Sequence, residues 1–355
     1  MDMMASSMRP SAPSSNPRLL RLLVVSDAWH PQVNGVVRTL EWLMREAINH
    51  GIELYLLTPD QFSSISAPTY PEIRLSLALP GTVAKRIEAF HPDAIHIATE
   101  GPLGILARLY CLRRNKRFTT CYHTRFPEYI AARVPIPLSL SYAALRRFHN
   151  AAKATLVSTP ALCDELAARG FSKLRIWQRG IDLNLFRSGE RQNLDLPGPI
   201  SLYVGRVAVE KNIEAFLEAD IQGTKIVVGD GPSKADLSRR FPGVRFTGVL
   251  SGKQLADIYA SADVFVFPSR TDTFGLVMLE ALAAGTPVAA LPVTGPQQVL
   301  GDSGCGIMNE DLAQAAREAL LIPRQKCRDF AAGFGIEESA RCFFEQVTAT
   351  LIDNA

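Results

Sequence analysis

The chain has 355 residues, enough for two domains with separate cores, and its 47% hydrophobic and 21% charged content describes a globular protein rather than a disordered or fibrous one. No run approaches eighteen uncharged apolar residues, which leaves no candidate for a membrane-spanning helix, and the six cysteines are scattered without a C-x-x-C pair, which argues for reduced structural thiols. The net charge of +3 divides unevenly: residues 1–185 hold 22 Lys and Arg against 14 Asp and Glu and the remainder 16 against 21, so a basic half precedes an acidic one.

In chain order, residues 1–17 are rich in Met, Ser and Pro without the apolar core of a signal peptide, and read as a disordered leader on a cytoplasmic protein. Leu20 to Ser26 (LRLLVVS) lacks alternation and ends in a polar turn, as a buried parallel strand does. Val36 to His50 has helical spacing (Val37, Leu40, Leu43, Met44, Ala47) and stops at Gly51. Further strands are predicted at Ile52 to Thr58, Ile73 to Leu77, Ala94 to Ala98, Phe118 to Tyr122 and Thr155 to Ser158, with helices between most of them. Gly180 to Pro199 is polar, contains Gly and Pro, and has no core pattern; 181–199 is the expected linker between a first domain, 18–180, and a second, 200–335.

The second cycle repeats the first. Strands at Ser201 to Val204, Lys225 to Val228, Val244 to Thr247, Val264 to Phe267 and Val288 to Leu291 alternate with helices near Asn212 to Glu218, Ser233 to Arg240 and Gln254 to Ala260. The βαβα rhythm predicts an α/β protein of two doubly wound, Rossmann-like domains facing across a cleft. Residues 336–355 carry a last helix.

Ligand candidates fall just beyond the strands, at the edge where open parallel sheets bind. Gly205, Arg206, Lys211 and Asn212 follow one strand, and Gly229, Asp230, Gly231 and Pro232 follow the next. Asp272 precedes the apolar helix expected from Phe274 to Gly285, and Glu280 lies within it, roughly 9 Å further along the axis at 1.5 Å per residue. The first N–H groups of that helix, at Phe274, Gly275 and Leu276, could receive an anionic group. Glu280 stands among Leu276, Val277, Met278, Leu279, Ala281 and Leu282, where a carboxylate loses hydration unless it is paired or bound to a ligand. In the first half, Gly35 follows Asn34, which can adopt a left-handed conformation, and would let backbone amides approach a phosphate or sugar. His123 follows the strand Phe118 to Tyr122, and Arg125, Glu128 and Tyr129, close behind, could line the acceptor side.

Taken together, FPSRTDTFGLVMLEALAAGTPVAA, with an acid, seven residues and a glutamate, resembles the acidic signature of the retaining GT-B glycosyltransferases related to sulfolipid synthases and to bacterial mannosyl- and glucosyltransferases, including those that glycosylate diacylglycerol. The resemblance extends over roughly residues 20–320 and is strongest over 200–290. It implies a sugar-nucleotide donor (UDP- or GDP-sugar), with Glu280 on the ribose hydroxyls and Asp272 on the donor sugar. Arg206 and Lys211 would neutralise the departing diphosphate, Gly231 would lie near the base, and His123 would stand beside the sugar. Asp272 occupies a position where Glu is usual. The resemblance also implies front-face transfer with retained configuration, and a last helix that crosses back onto the first domain. No D-x-D and no metal-spaced cluster occurs, so no bound metal or other cofactor is expected.

Two features bear on the acceptor. The basic half and the segment Tyr129 to His149, which mixes apolar and basic residues, suggest peripheral attachment to an anionic cytoplasmic membrane surface and a lipid acceptor such as diacylglycerol. A soluble or polysaccharide acceptor for a mannosyltransferase, and a sugar-nucleotide epimerase on the same fold, are the alternatives. A nucleic-acid-binding protein would show salt-dependent binding that does not need Glu280, and no nucleic-acid partner is expected.

Overall fold

The computed structural model describes residues 18–352 apart from 33, 68–72, 132–135 and 273. The expected leader, 1–17, lies outside the described residues. The first domain runs β1 (Leu20–Val25), α1 (Gly35–Glu46), β2 (Ile52–Leu57), β3 (Ser64–Ser66), β4 (Arg74–Ser76), α2 (Pro80–Phe90), β5 (Ala94–Ile97), α3 (Pro102–Arg113), β6 (Thr119–Cys121), α4 (Phe126–Ala131), α5 (Leu138–His149), β7 (Ala154–Val157), α6 (Pro160–Ala168) and β8 (Leu174–Ile176). The chain continues through α7 (Leu183–Arg187) into β9 (Ile200–Val204), α8 (Ile213–Glu218), β10 (Thr224–Val228), α9 (Lys234–Arg240), β11 (Arg245–Gly248), α10 (Gly252–Ser261) and β12 (Val264–Phe267). It ends with α11 (Leu276–Ala283), β13 (Val288–Ala290), α12 (Thr294–Leu300), β14 (Gly306–Met308), α13 (Leu312–Ala319), α14 (Arg324–Ala331) and α15 (Ile336–Ile352).

Two parallel six-stranded sheets result, with orders β2-β1-β5-β6-β7-β8 and β11-β10-β9-β12-β13-β14. Strand side chains alternate faces, and helices cover both, which is why the central strands read as continuous apolar runs. Leu22 and Val24 of β1 join one core cluster while Leu23 and Val25 join another. Leu202 and Val204 of β9 likewise part from Tyr203. Each sheet reverses its winding beside its first strand, between β1 and β5 and between β9 and β12, and opens a crevice at the strands' C-terminal ends there.

Some details differ from expectation. The strand predicted at Ile73 to Leu77 is β4, which pairs antiparallel with β3 in a separate ribbon, where Arg74 donates to the Ser64 and Ser66 hydroxyls instead of entering the sheet. β8 and β14, each at one edge of its sheet, were not predicted because they are three residues long and only partly covered. The segment read as a featureless linker contains α7, capped by Asp182, and buries Phe186 edge-on against Tyr259 in the second domain's core. The helix expected from Phe274 begins later, at Leu276, because Gly275 sits at φ +90°.

The last helix, α15, packs on the first domain. Ala340, Phe343, Phe344 and Val347 share a core cluster with Leu22, Val24, Leu40 and Trp177, and the Trp177 indole donates to the Ser339 carbonyl at 2.9 Å. The two passages between domains run side by side, bonded from Ile181 N to the Phe334 carbonyl and from Ile336 N to the Ile181 carbonyl. A Cβ at Gly180 would meet the Gly335 carbonyl oxygen at 2.4 Å, so this close approach requires glycine.

Candidate functional site

The crevice of the second sheet gathers three loops. Beyond β9, Gly205 and Arg206 lead to Lys211; beyond β10 comes Gly229 to Pro232; beyond β12 comes Pro268 to Gly275. The first two lie directly on one another, with Val207 N donating to the Asp230 carbonyl at 2.9 Å and Ser233 N to that of Val207 at 3.0 Å. At Gly229, φ +136°, a Cβ would stand 1.9 Å from the Gly205 carbonyl oxygen, and at Gly231 one would stand 2.3 Å from that of Val207. The glycines are therefore required for loop packing, a reason that motif reading alone does not supply. The first and third loops are tied by Asn212 Nδ2 to the Pro268 carbonyl at 3.0 Å and by the Thr271 hydroxyl to the Glu210 carbonyl at 3.2 Å. Between them Lys211 and Asp272 form an ion pair. Arg206 is partly exposed, and its carbonyl accepts from Tyr203 at 2.8 Å.

Glu280, on α11, is 3% exposed and has both oxygens occupied. Arg38 of α1, from the other domain, donates to Oε1 at 2.7 Å, and the buried Tyr259 hydroxyl of α10 donates to Oε2 at 2.9 Å. The carboxylate beside it holds the Arg38 guanidinium above its ordinary pKa, while burial and the same carboxylate push the Tyr259 phenol well up. Gly35 brings α1 up to the N-terminus of α11, since a Cβ there would contact the Leu276 side chain at 3.4 Å. Phe274 is buried, whereas Gly275 and Leu276 are partly exposed at the cleft.

Across the cleft, Asn34 does not use the left-handed conformation open to it but is extended (φ −153°) and caps α1, its Oδ1 accepting from Val36 N and Val37 N at 3.0 Å each. Those amides are thus already bonded. In the neighbouring crevice Asp27 accepts from Leu103 N at 2.8 Å, Gly104 N at 3.1 Å and the Thr99 hydroxyl at 3.0 Å, and burial raises its pKa against those bonds. His123 follows β6, and its Nδ1 accepts from Arg179 at 3.1 Å. Burial first, then the Arg179 charge, keeps its pKa well below the ordinary value.

The residues proposed for the acceptor side are otherwise employed. Arg125 makes a two-pronged ion pair with Glu165 of α6 at 2.9 and 2.6 Å, and Glu128 accepts from Tyr142 of α5 at 2.6 Å, so both tie helices together. The side chain of Tyr129 lies outside the described residues.

A family model described as Glycosyltransferase Family 4 matches residues 33–185, and one described as Glycosyl transferases group 1 matches 198–322. The chain belongs to the GT-B glycosyltransferase family. It is 32% identical over 316 residues to sulfoquinovosyl transferase SQD2 of Arabidopsis thaliana, covering 81% of this chain but 62% of that protein's length. A GDP-mannose-dependent alpha-mannosyltransferase of Mycobacterium tuberculosis is 28% identical, over 81% of this chain and 83% of its own. Alpha-monoglucosyldiacylglycerol synthase of Streptococcus pneumoniae is 26% identical, over 85% and 78%. Among solved structures, sucrose-phosphate synthase from Thermosynechococcus elongatus superposes with a TM-score of 0.73 at 22% identity, over 92% of this chain and 98% of that one, and so shares the fold.

In this glycosyltransferase the sequence marked Lys211, Asp272 and Glu280 but missed Arg38, Tyr259 and Arg179. Arg38 had no signal of its own, because it lies on the side of α1 opposite the apolar stripe, with Glu41 among its neighbours, as a solvated arginine does. Tyr259 had none that separates it from an ordinary core aromatic.

Proposed function

We propose that this chain moves a hexose or hexuronic acid from a UDP- or GDP-sugar to a lipid such as diacylglycerol, with retained configuration and without a bound metal. The observation that carries the reading is the convergence of Lys211, Asp272 and Glu280 at the crevice of the second sheet, facing α1 across the cleft. Glu280 would receive the ribose hydroxyls. Arg206 and Lys211 would oppose the charge that develops on the departing diphosphate, with Asp272 holding the Lys211 amine on the site and lying nearest the sugar. In front-face transfer the departing phosphate oxygen helps take the acceptor's proton, so the residues named serve to bind and to neutralise.

A membrane-surface acceptor is supported by Ile136, Leu138 and Leu140, which stand exposed at the start of α5, by Phe126 of α4 close by, and by the exposed Arg146 and Arg147 at the end of α5. No helix among the described residues is long and apolar enough to cross a membrane, so attachment would be peripheral. The name of the streptococcal relative includes diacylglycerol.

The test is a donor screen with UDP- and GDP-sugars, uronic acids included, against diacylglycerol in anionic vesicles and against soluble acceptors, with and without EDTA, read by mass spectrometry. Glu280→Ala should chiefly raise KM for the donor, and Arg206→Ala or Lys211→Ala should chiefly lower kcat. Unchanged kinetics in all three variants would reject the site. Epimerised donor in the absence of acceptor would reject transfer as the activity, and vesicle-independent turnover of a soluble acceptor would reject the lipid.

A further inference from the structure

Arg179 is an anomaly of the first domain. It is 6% exposed, forms no ion pair among the described residues, and leaves its Nη1 without a hydrogen-bond partner. A guanidinium always carries its charge, and burying one without a carboxylate is costly, so packing alone does not account for it. The structure invests in its placement all the same. Arg179 lies three residues beyond the end of β8, its guanidinium lies 3.7 Å from the centre of the Trp177 ring, and that ring is fixed by Ser339 and Phe343 of α15. Nη2 reaches the end of β6, where it donates to Cys121 Sγ at 3.2 Å and to His123 Nδ1 at 3.1 Å.

The last bond decides a protonation state. Arginine has donors and no acceptor, so His123 Nδ1 must accept and cannot carry a hydrogen. The remaining charged and titratable groups around His123 reinforce this. Among the described residues, the fixed charge of Arg179 opposes a positive imidazole, and His96 of β5 and His149 of α5, which also face the ring, supply no negative charge to favour one. The Glu100 carboxylate is bonded to His149 Nε2 at 3.0 Å.

We propose that Arg179 is a positioning residue for His123: by donating to Nδ1 it fixes the neutral ring with its proton on Nε2, so that His123 offers the donor sugar a hydrogen bond and not a basic lone pair. The role at the sugar rests on the glycosyltransfer reading above; the tautomer does not. A ring held this way cannot serve as the base that takes the acceptor's proton, which agrees with a departing phosphate oxygen in that part.

The test begins with the unmodified protein. Long-range 1H–15N NMR of histidine-labelled protein, with His123→Gln to assign the signal, should show the Nε2–H tautomer at pH 7 and no protonation down to pH 5.5. An Nδ1–H ring, or titration near the ordinary histidine value, overturns the proposal. Arg179→Met should then lower kcat roughly 10- to 100-fold, as loss of a histidine-orienting partner does elsewhere, and add an acidic limb to the pH profile. Arg179→Lys, which restores a cationic donor, should remove that limb. An Arg179→Met profile parallel to wild type, with His123 still Nε2–H, overturns the proposal even if activity falls. Should no sugar nucleotide be turned over, the functional reading fails while the spectrum still decides the tautomer.

Discussion

Replacing Arg38 by Met probes the contact that joins the two domains at the candidate site. The pair it breaks is a 2.7 Å bond between a guanidinium 31% exposed and a carboxylate 4% exposed. Removing one partner of a fully buried pair costs about 3–5 kcal/mol, because the other charge is left without a counter-ion; the partial exposure of Arg38 and the remaining Tyr259 hydroxyl reduce this to about 2–3 kcal/mol. In urea or thermal denaturation that corresponds to a fall in Tm of roughly 5 °C. Glu280→Gln in the Arg38→Met background should recover most of the loss, since a neutral amide needs no cation, and a double-mutant cycle should return a coupling of about 1.5–3 kcal/mol. Nucleotide should raise the Tm of Arg38→Met by more than that of wild type, because ribose hydroxyls then meet a carboxylate that lacks its partner. An Arg38→Met protein within about 0.5 kcal/mol of wild type would refute the reasoning, since surface substitutions alone stay inside that range.

Burial takes His96 down to about 3, with Arg179 adding to the effect, and holds His123 well below its ordinary value. Both rings stay neutral when folded but protonate when unfolded, so their stabilising contribution is complete above the ordinary histidine pKa and is lost as pH falls below it. From pH 7.5 to 5.5 two such rings should cost about 2.7 kcal/mol, and equal urea midpoints at the two pH values would contradict this. Gly229→Ala places a methyl group against the Gly205 carbonyl and should cost roughly 2–4 kcal/mol while abolishing the thermal shift with UDP or GDP; a wild-type melting curve would show that the two loops part easily. Phe343→Ala, at a fully buried position, should cost about 3–5 kcal/mol, change the Trp177 fluorescence and make residues 336–352 the first site of proteolysis, and protection of that segment would speak against its anchoring role.

What could be read in advance divides along physical lines. The central strands were legible because strands covered on both faces have to be apolar throughout, and Val264 to Phe267 appears with the bounds expected. β8 and β14 were not, since each is three residues long and only partly covered, and so presents no apolar run. The desolvation argument at Glu280 correctly demanded a partner. It could not name Arg38, which lies 242 residues away and becomes a neighbour only when the domains face each other. Lys211 and Asp272 were each legible as loop residues beyond a strand, but their pairing follows from β9 and β12 being adjacent in the sheet, which sequence order does not reveal. Arg179 drew no expectation, because nothing in the sequence around it distinguishes it from a solvent-facing cation.

The return of α15 to the first domain has a consequence for how the protein is made. The first domain's sheet is complete once β8 has left the ribosome, yet the apolar wall that covers Trp177 and His96 begins about 160 residues later, at Ile336 against Ile176. At roughly 5–20 residues per second, translation leaves that face without its own cover for about 8–30 s, while the second domain is being synthesised. The nascent first domain is then a target for holding chaperones, and an expression fragment that stops at the domain boundary would retain this exposure permanently.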